Sequence, residues 1–214
     1  MLFELINATG ETLYMTLAAG LIGSIIGLPL GVILYCAGSA QLWHSLRLHR
    51  ALSFLINITR SIPFIILMIA VIPFTYFIVG TSIGTTASIV PLSLAATPFI
   101  ARLIENALQE VNKGLVEAAS AMGATSFHMI TKVLLPEALP GIIHAFTLTL
   151  ITLVGYSAMA GAMGGGGLGA LAINYGYQRF NIPVMAETVI ILVVIVQAIQ
   201  MLGDKLAKCL LHKR

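Results

Sequence analysis

Five strongly apolar segments alternate with shorter polar stretches along the chain, at about residues 13–36, 54–79, 87–104, 139–162 and 184–203. A helix needs about 20 mostly apolar residues to cross the hydrocarbon core of a bilayer, which is about 30 Å thick. The first segment is too long for the core of a signal peptide, and Glu4 and Glu11 precede it where a signal peptide has basic residues. The pattern predicts an all-α integral membrane protein with five transmembrane helices and with its termini on opposite sides.

The composition excludes a soluble domain. Of the 214 residues, 58% are apolar and only 9% are charged, whereas a soluble domain carries about 25% charged residues. The net charge of +3 is therefore interpreted by its position along the chain, and it does not indicate nucleic-acid binding. Cys36 and Cys209 lie far apart in or beside apolar segments, which predicts neither a disulfide framework nor a metal site.

Lysine and arginine lie almost entirely on one side of the predicted membrane. Ten of the eleven fall in the segments 37–60, 102–138 and 204–214, and only Arg179 falls on the other side. Because cytoplasmic loops of membrane proteins carry the excess of positive residues, the N-terminus is predicted outside and the C-terminus in the cytoplasm. This topology gives an outer segment at 1–10, a cytoplasmic loop at about 109–137 and a basic cytoplasmic tail at 204–214.

Small residues recur at helical spacing in the first span, at Gly20, Ser24, Gly27 and Gly31. Such residues let another helix approach closely in lipid. The approaching helix belongs either to the same chain or to a second subunit, and the sequence leaves both interpretations open.

The second span contains a positive charge and a proline near its predicted cytoplasmic end. Arg60 would cost roughly 3 kcal/mol in the middle of the bilayer. We therefore expect it at the cytoplasmic boundary, where it either reaches toward the lipid headgroups or makes a contact that takes part in gating. Pro63 is expected to open or bend this helix.

The segment from Glu117 to Gly141 is the one long polar-flecked stretch between the apolar segments. Its sequence predicts a short helix from Glu117, a break at Gly123, and a second helix capped by Thr125 or Ser126. Pro136 suits the first turn of a further helix, so a boundary is predicted there. The segment is either an ordinary cytoplasmic loop or a rigid elbow that docks another protein.

This segment resembles the signature loop of the permeases of bacterial ABC importers. Glu117-Ala118-Ala119, Gly123 and Leu135-Pro136 match the family pattern at its spacing, and Val133 replaces an isoleucine. The stretch TRSIPF at 59–64 is similar to a second element of the family, and the likeness extends over about 11–200, which would form a single permease domain of type I importer fold. The stretch 153–181 looks closest to permeases of methionine importers.

The resemblance implies a function and a set of partners. It implies a homodimer of permeases in a bacterial inner membrane, with two cytoplasmic ATPase subunits that bind ATP and magnesium and with an external solute-binding lipoprotein. The loop would couple the permease to the ATPase. The coupling residues implied are Glu117, Ala118, Ala119, Gly123, Ala124 and Thr125. The transported solute would be methionine, with another amino acid or small solute as the alternative, and a membrane scaffold that recruits an ATPase as the more distant one.

Two sequence patterns suggest other chemistry and are set aside. GGGGLG at 164–169 belongs to no strand–turn–helix unit, so it is interpreted as a flexible lining of the outer mouth and not as a dinucleotide site. Ser157 and His144 are 13 residues apart on one predicted helix, which places them about 20 Å apart and excludes a hydrolase dyad. With no phosphate-binding G-x-x-x-x-G-K-[ST] motif in the sequence, no catalytic role is predicted for this chain.

The predicted solute pathway lies in the fourth span. Tyr156, Met159 and Met163 recur at intervals of three and four residues and so share one helix face, with Ser157 beside them. Sulfur contacts with an aromatic ring and with methionine would suit a thioether side chain. The alternative is that this face simply packs against the second span.

Overall fold

The computed structural model describes residues 2–39, 42–43 and 45–211, and within these ranges it contains helices and turns but no strand. The end of the predicted basic tail, 212–214, lies outside the described residues. The α-helices are α1 Leu2–Gly38, α2 Leu46–Ser61, α3 Phe64–Ala70, α4 Ile72–Val79, α5 Thr85–Gln109, α6 Lys113–Ala121, α7 Ser126–His128, α8 Leu135–Ala160, α9 Gly167–Leu171 and α10 Ile182–Leu211. Wider π-helical turns cover Met129–Leu134, Gly161–Gly165 and Ala172–Tyr177.

Within the part of the chain that the structure describes, four continuous helices are long and apolar enough to cross a membrane, namely Phe3–Gly38, Thr85–Gln109, Ser126–Gly165 and Ile182–Leu210. A fifth span arises if α2 and α3, which are bent by 99° relative to each other, are counted as one. The all-α fold is confirmed. The first and last helices extend beyond the predicted spans, so the outer segment is helical from Leu2 and the tail is helical to Leu211.

The predicted second span, 54–79, is not one helix. Ile62 is extended, with φ −78° and ψ 123°, and Pro63 begins α3 after it. Proline disfavours the helical conformation of the residue before it and supplies no amide hydrogen, so the chain turns sharply here. The prediction that Pro63 opens or bends this helix is confirmed, and a second interruption occurs at Val71, between α3 and α4.

The closest helix pairing joins α1 to α5. A Cβ added at Gly27 would lie 2.8 Å from the carbonyl oxygen of Thr97, and one added at Gly31 would lie 2.6 Å from that of Ala101. Only glycine lets the two backbones approach this closely. Gly20 similarly faces Leu150 of α8. Of the two interpretations of these small residues, packing within the chain is confirmed for the three glycines.

The core of the bundle is built around α5 and continues beyond the membrane spans. Leu92, Ile100 and Ile104 of α5 are fully buried and pack against α1 and α8. The same hydrophobic cluster includes Val116 of α6 and Met129 of the following π-helical turn. The segment after α5 is therefore packed onto the bundle as part of one core.

The glycine-rich turn after α8 is close-packed, so its interpretation as a flexible lining was wrong. Gly164, Gly166 and Gly167 have positive φ angles that favour glycine. The amide of Gly167 donates to the Glu11 carboxylate at 2.6 Å, and the amide of Leu168 donates to the Thr12 hydroxyl at 2.9 Å. These bonds fasten the start of α9 to α1, 156 residues earlier in the chain.

Candidate functional site

The elbow predicted after α5 is present, and its first helix is α6. The side chain of Asn112 caps α6 by accepting the amide of Gly114 at 2.8 Å. The helix ends at Gly123, whose φ is +79°. There the amide of Ala124 bonds the Ala119 carbonyl and the amide of Gly123 bonds that of Ser120, which is the usual glycine-closed helix end. The predicted break at Gly123 is confirmed.

The second part of the elbow is the beginning of the long fourth membrane helix. Thr125 caps it, since its hydroxyl oxygen accepts the amide of His128 at 3.3 Å. Pro136 lies in the first turn of α8, as predicted, and the element boundary falls between Leu134 and Leu135. The helical path itself is continuous from Ser126 to Gly165. A π-helical turn, Met129–Leu134, precedes the proline, and the amide of Leu135 bonds the Ile130 carbonyl five residues back. This wider turn gives the proline ring room that a regular α-helix lacks.

One face of α6 packs against the helix bundle, and the other face is exposed. Val116 and Ala119 are buried against the bundle. Of the predicted coupling residues, Glu117, Ala118, Gly123 and Thr125 are exposed and Ala124 is half-buried. Ala119 is buried at 6% exposure, so it fixes the helix in place and offers little to a partner.

The sequence analysis missed large apolar side chains on the open face of the elbow. Met122 is 83% exposed, Phe127 is 71% exposed and Leu115 is 45% exposed. Large exposed apolar side chains are typical of interaction surfaces, and these three lie in the segment for which docking was predicted. The available signal was the occurrence of large apolar residues in a segment predicted to lie outside the bilayer.

A second feature is a cavity of about 140 Å³ at the break between α2 and α3. Helices α2, α3, α5 and α8 contribute to its wall. The lining residues are Thr59, Arg60, Ile62, Phe64, Leu67, Ala95, Phe99 and Tyr156. We call this space the hinge cavity.

Aromatic rings form two sides of the hinge cavity. Phe64 and Tyr156 stack with their ring centres 4.6 Å apart and an angle of 3° between the planes. The guanidinium carbon of Arg60 lies 5.5 Å from the centre of the Phe99 ring, within the range of a cation–π contact. Arg60, for which two roles were left open, therefore contacts a ring of the bundle.

Of the four predicted pathway residues, one lines the hinge cavity and three do not. Tyr156 lines it, whereas Ser157 is buried elsewhere in the core and donates its hydroxyl to the Val154 carbonyl at 2.8 Å. Met159 and Met163 are exposed and do not line it. Met163 also leaves the helical conformation, with φ −96° and ψ 16°, so the predicted common face does not continue to it.

The contribution of Arg60, Phe64 and Phe99 to the same cavity as Tyr156 was not predicted. Arg60 and Phe64 lie on either side of the break at Pro63, and Phe99 and Tyr156 come from α5 and α8 much later in the chain. The sharp bend between α2 and α3 accompanies the stacking of Phe64 on Tyr156. The TRSIPF element was the available signal, but its sequence does not specify which rings it meets.

His144 has its own partner, and it is not Ser157. Its ring nitrogen Nδ1 lies 4.0 Å from the carboxylate of Asp204 on α10. Asp204 also accepts a hydrogen bond of 2.8 Å from Gln200. The pair joins α8 to α10. This partner for His144 agrees with the exclusion of a dyad between His144 and Ser157.

These features describe a helical membrane protein with a two-part elbow after α5. A family model described as the binding-protein-dependent transport system inner membrane component matches residues 5–212. The chain belongs to this family of inner-membrane transport components, and the resemblance inferred from its signature loop is confirmed.

Individual relatives match over most of the chain. A probable D-methionine transport system permease protein of Vibrio cholerae is 57% identical over 209 residues, which cover 98% of this chain and 93% of the relative. The D-methionine transport system permease protein of Escherichia coli is 56% identical over 161 residues, covering 75% of this chain and 74% of the relative.

Solved structures give the same fold. A chain of the MetNI methionine ABC transporter in an inward-facing conformation matches with a TM-score of 0.96 and 52% identity, covering 98% of this chain and 97% of the other. A chain of an amino acid ABC transporter solved with histidines matches with a TM-score of 0.78. At 21% identity, over 95% of this chain and 92% of the other, that second likeness shows the fold alone. The type I importer permease fold is confirmed.

Proposed function

We propose that this chain is the permease subunit of an ATP-driven importer of methionine. The observation that carries the proposal is the likeness to methionine permeases along nearly the full chain, at 57% identity for one relative and at a TM-score of 0.96 for one solved structure. Short permease motifs occur across importers of many solutes, whereas this likeness extends over 98% of the chain.

The proposed assembly contains two permeases, two cytoplasmic ATPase subunits and an external solute-binding protein. Five spans are too few to enclose a solute pathway comfortably, which favours a pair of permeases. The sequence contains no G-x-x-x-x-G-K-[ST] motif, so ATP and magnesium are assigned to the partner ATPase. The family description, which names a binding-protein-dependent system, supports the external partner.

The elbow is the proposed coupling site. Its open face presents Glu117 together with Met122 and Phe127, which suits a partner groove that takes apolar side chains beside a positive charge. Its other face shares a core with the membrane helices through Val116 and Met129. A partner that moves the elbow would therefore move α5 and α8 with it, because packed cores shift as units.

The experiment that tests the function is uptake of labelled methionine into vesicles that contain the permease, its ATPase and its binding protein. We expect uptake that requires ATP and that exceeds uptake of histidine and glutamine. Preferential uptake of another amino acid would refute the substrate. Binding of the ATPase without uptake of any solute would refute the importer and favour the scaffold.

A further inference from the structure

One side of helix α2 packs against the bundle, and the opposite side is exposed. On the packed side Ile56 is buried, and the ring nitrogen Nδ1 of His49 bonds the Leu34 carbonyl of α1 at 3.0 Å. Arg102 of α5 donates a hydrogen bond of 2.9 Å to Asn57. Because α2 is bonded to both α1 and α5, its exposed side is presented in a fixed orientation.

The exposed side of α2 carries large apolar side chains. Phe54 is 65% exposed and Leu55 is 61% exposed, and Leu48 and Ile58 are exposed as well. Leu48 and Leu55 are seven residues apart, so they lie on the same face of the helix. Such a face is unfavourable in water and favourable in contact with the hydrocarbon of a bilayer.

Two arginines lie beside these apolar side chains. Arg47 and Arg50 are both exposed, and they are neighbours on the helix surface because they are three residues apart. The sequence contains no aspartate or glutamate between Glu11 and Glu105. Within residues 2–39, 42–43 and 45–211, neither arginine forms an ion pair. The charge of this surface is therefore complementary to an anion from outside the chain.

The direction of α2 suits the surface of a membrane. Helices α2 and α3 are bent by 99° relative to each other, so α2 lies nearly in the plane of the bilayer when α3 crosses it. The crossing is then made by α3 and α4, which contain no charged residue. Trp43, an exposed residue of the type enriched at membrane interfaces, precedes α2. Arginines beside an exposed apolar face are typical of helices that lie in the interface.

We infer that α2 is a membrane-surface helix whose Arg47 and Arg50 bind anionic phospholipids. The guanidinium groups donate to headgroup phosphates, while their aliphatic stems and Leu48 and Leu55 contact the acyl chains. Lipids whose phosphate charge is not cancelled by an ammonium group are preferred. A soluble anion would leave the apolar side chains in water, so the partner is a lipid. The inference does not depend on which solute is transported.

Trp43 gives a direct test, because it is the only tryptophan in the chain and lies just before α2. The permease is reconstituted in vesicles of phosphatidylcholine and phosphatidylglycerol in equal parts, with the acyl chains of one lipid or the other brominated. Bromine quenches nearby tryptophan fluorescence, so the ratio of the two quenching curves gives the lipid preference at this site. We expect phosphatidylglycerol to be preferred. Each of Arg47→Gln and Arg50→Gln should lower the preference about fivefold, and Arg47→Lys should retain it.

The matched control is Lys205→Gln, which removes one exposed positive charge from α10, a helix that packs against α8. Its lipid preference at Trp43 should equal that of the wild type. Equal quenching by the two lipids in the wild type, or an unchanged preference in both arginine variants, would overturn the site. So would a loss of ATPase co-purification from the arginine variants at an unchanged lipid preference, since the arginines would then contact a protein.

A second measurement tests the orientation of α2 and needs no charge change. Leu48→Trp and Leu55→Trp, each in a Trp43→Phe background, place the reporter at two points of the same helix face. Lipids brominated at different depths should give the same depth for both reporters. A helix that crosses the bilayer would separate them by about 10 Å in depth, and this result would refute the surface helix. Methionine uptake by wild-type vesicles is judged separately, so the lipid site can fail while the proposed function stands.

Discussion

Gly161 and Gly169 lie where the π-helical turn after α8 packs against α9, and neither position has space for a side chain. A Cβ at Gly169 would lie closer than 3.0 Å to backbone atoms of Ala158, and one at Gly161 would lie equally close to the backbone of Ala170. Backbone atoms cannot move aside as the end of a flexible side chain can. The contact is therefore specific for glycine, and the turn that it closes also holds the Glu11 bond to Gly167.

We predict that Gly169→Ala destabilises the protein by about 1–3 kcal/mol, the usual cost of overpacking. For a chain of this length the melting temperature should fall by roughly 2–10 °C. Thermal unfolding of the purified protein in detergent measures the change. Gly10→Ala is the control, since nothing lies within 4 Å of a Cβ added there, and an equal fall in both variants would contradict the packing argument.

At the scale of single residues, the sequence predicts those features whose cause is local. Gly123 could be predicted because a lone glycine between two helix-favouring runs ends a helix by its own backbone preference. The close packing of 164–169 could not, because the groups that fix it are Glu11, Ser88 and Ala158, which approach only in the folded chain. Four successive glycines are compatible with a loose loop as well as with a tight turn.

At the scale of helices, apolar length identifies the spans but does not specify their shape. The proline at position 63 predicts an interruption, yet the 99° bend depends on how α3 packs against α5 and α8. At Pro136 the predicted start of a helix is present, but the chain does not bend there, because the π-helical turn over Met129–Leu134 accommodates the ring. The chemistry of a proline is local, but the response of the helix around it depends on tertiary packing.

The helix end at Gly123 gives a prediction for coupling. Gly123→Pro should leave the protein in the membrane but weaken its association with the ATPase, because proline cannot adopt the observed φ of +79°. Gly123→Asn should associate normally, since asparagine tolerates this conformation. Co-purification of the ATPase with each variant measures the effect. If the proline variant retains the ATPase as well as the asparagine variant does, the elbow is not the docking site.

At the scale of the whole molecule, the packing of α1 against α5 determines how the bundle is assembled. The α1–α5 contact joins segments about 70 residues apart in the chain through Gly23 and Ala96, Gly27 and Thr97, and Gly31 and Ala101. The small-residue spacing predicts a close partner for α1, but which helix that partner is cannot be predicted from one sequence. The elbow, α5 and α8 share one core, and α5 and α8 also contribute to the wall of the hinge cavity.

The orientation of this unit in the membrane is the remaining prediction at this scale, and it follows from the ten-to-one distribution of lysine and arginine. Two exposed positions lie on opposite predicted sides, Lys113 at the start of α6 and Arg179 before α10. In a background without Cys36 and Cys209, we expect Lys113→Cys to react with a membrane-impermeant maleimide only in inside-out vesicles, and Arg179→Cys only in right-side-out vesicles. Each variant is the control for the other, since both side chains are exposed and differ only in their predicted side. Labelling of Lys113→Cys in sealed right-side-out vesicles would reverse the orientation, and the elbow would then be out of reach of a cytoplasmic ATPase.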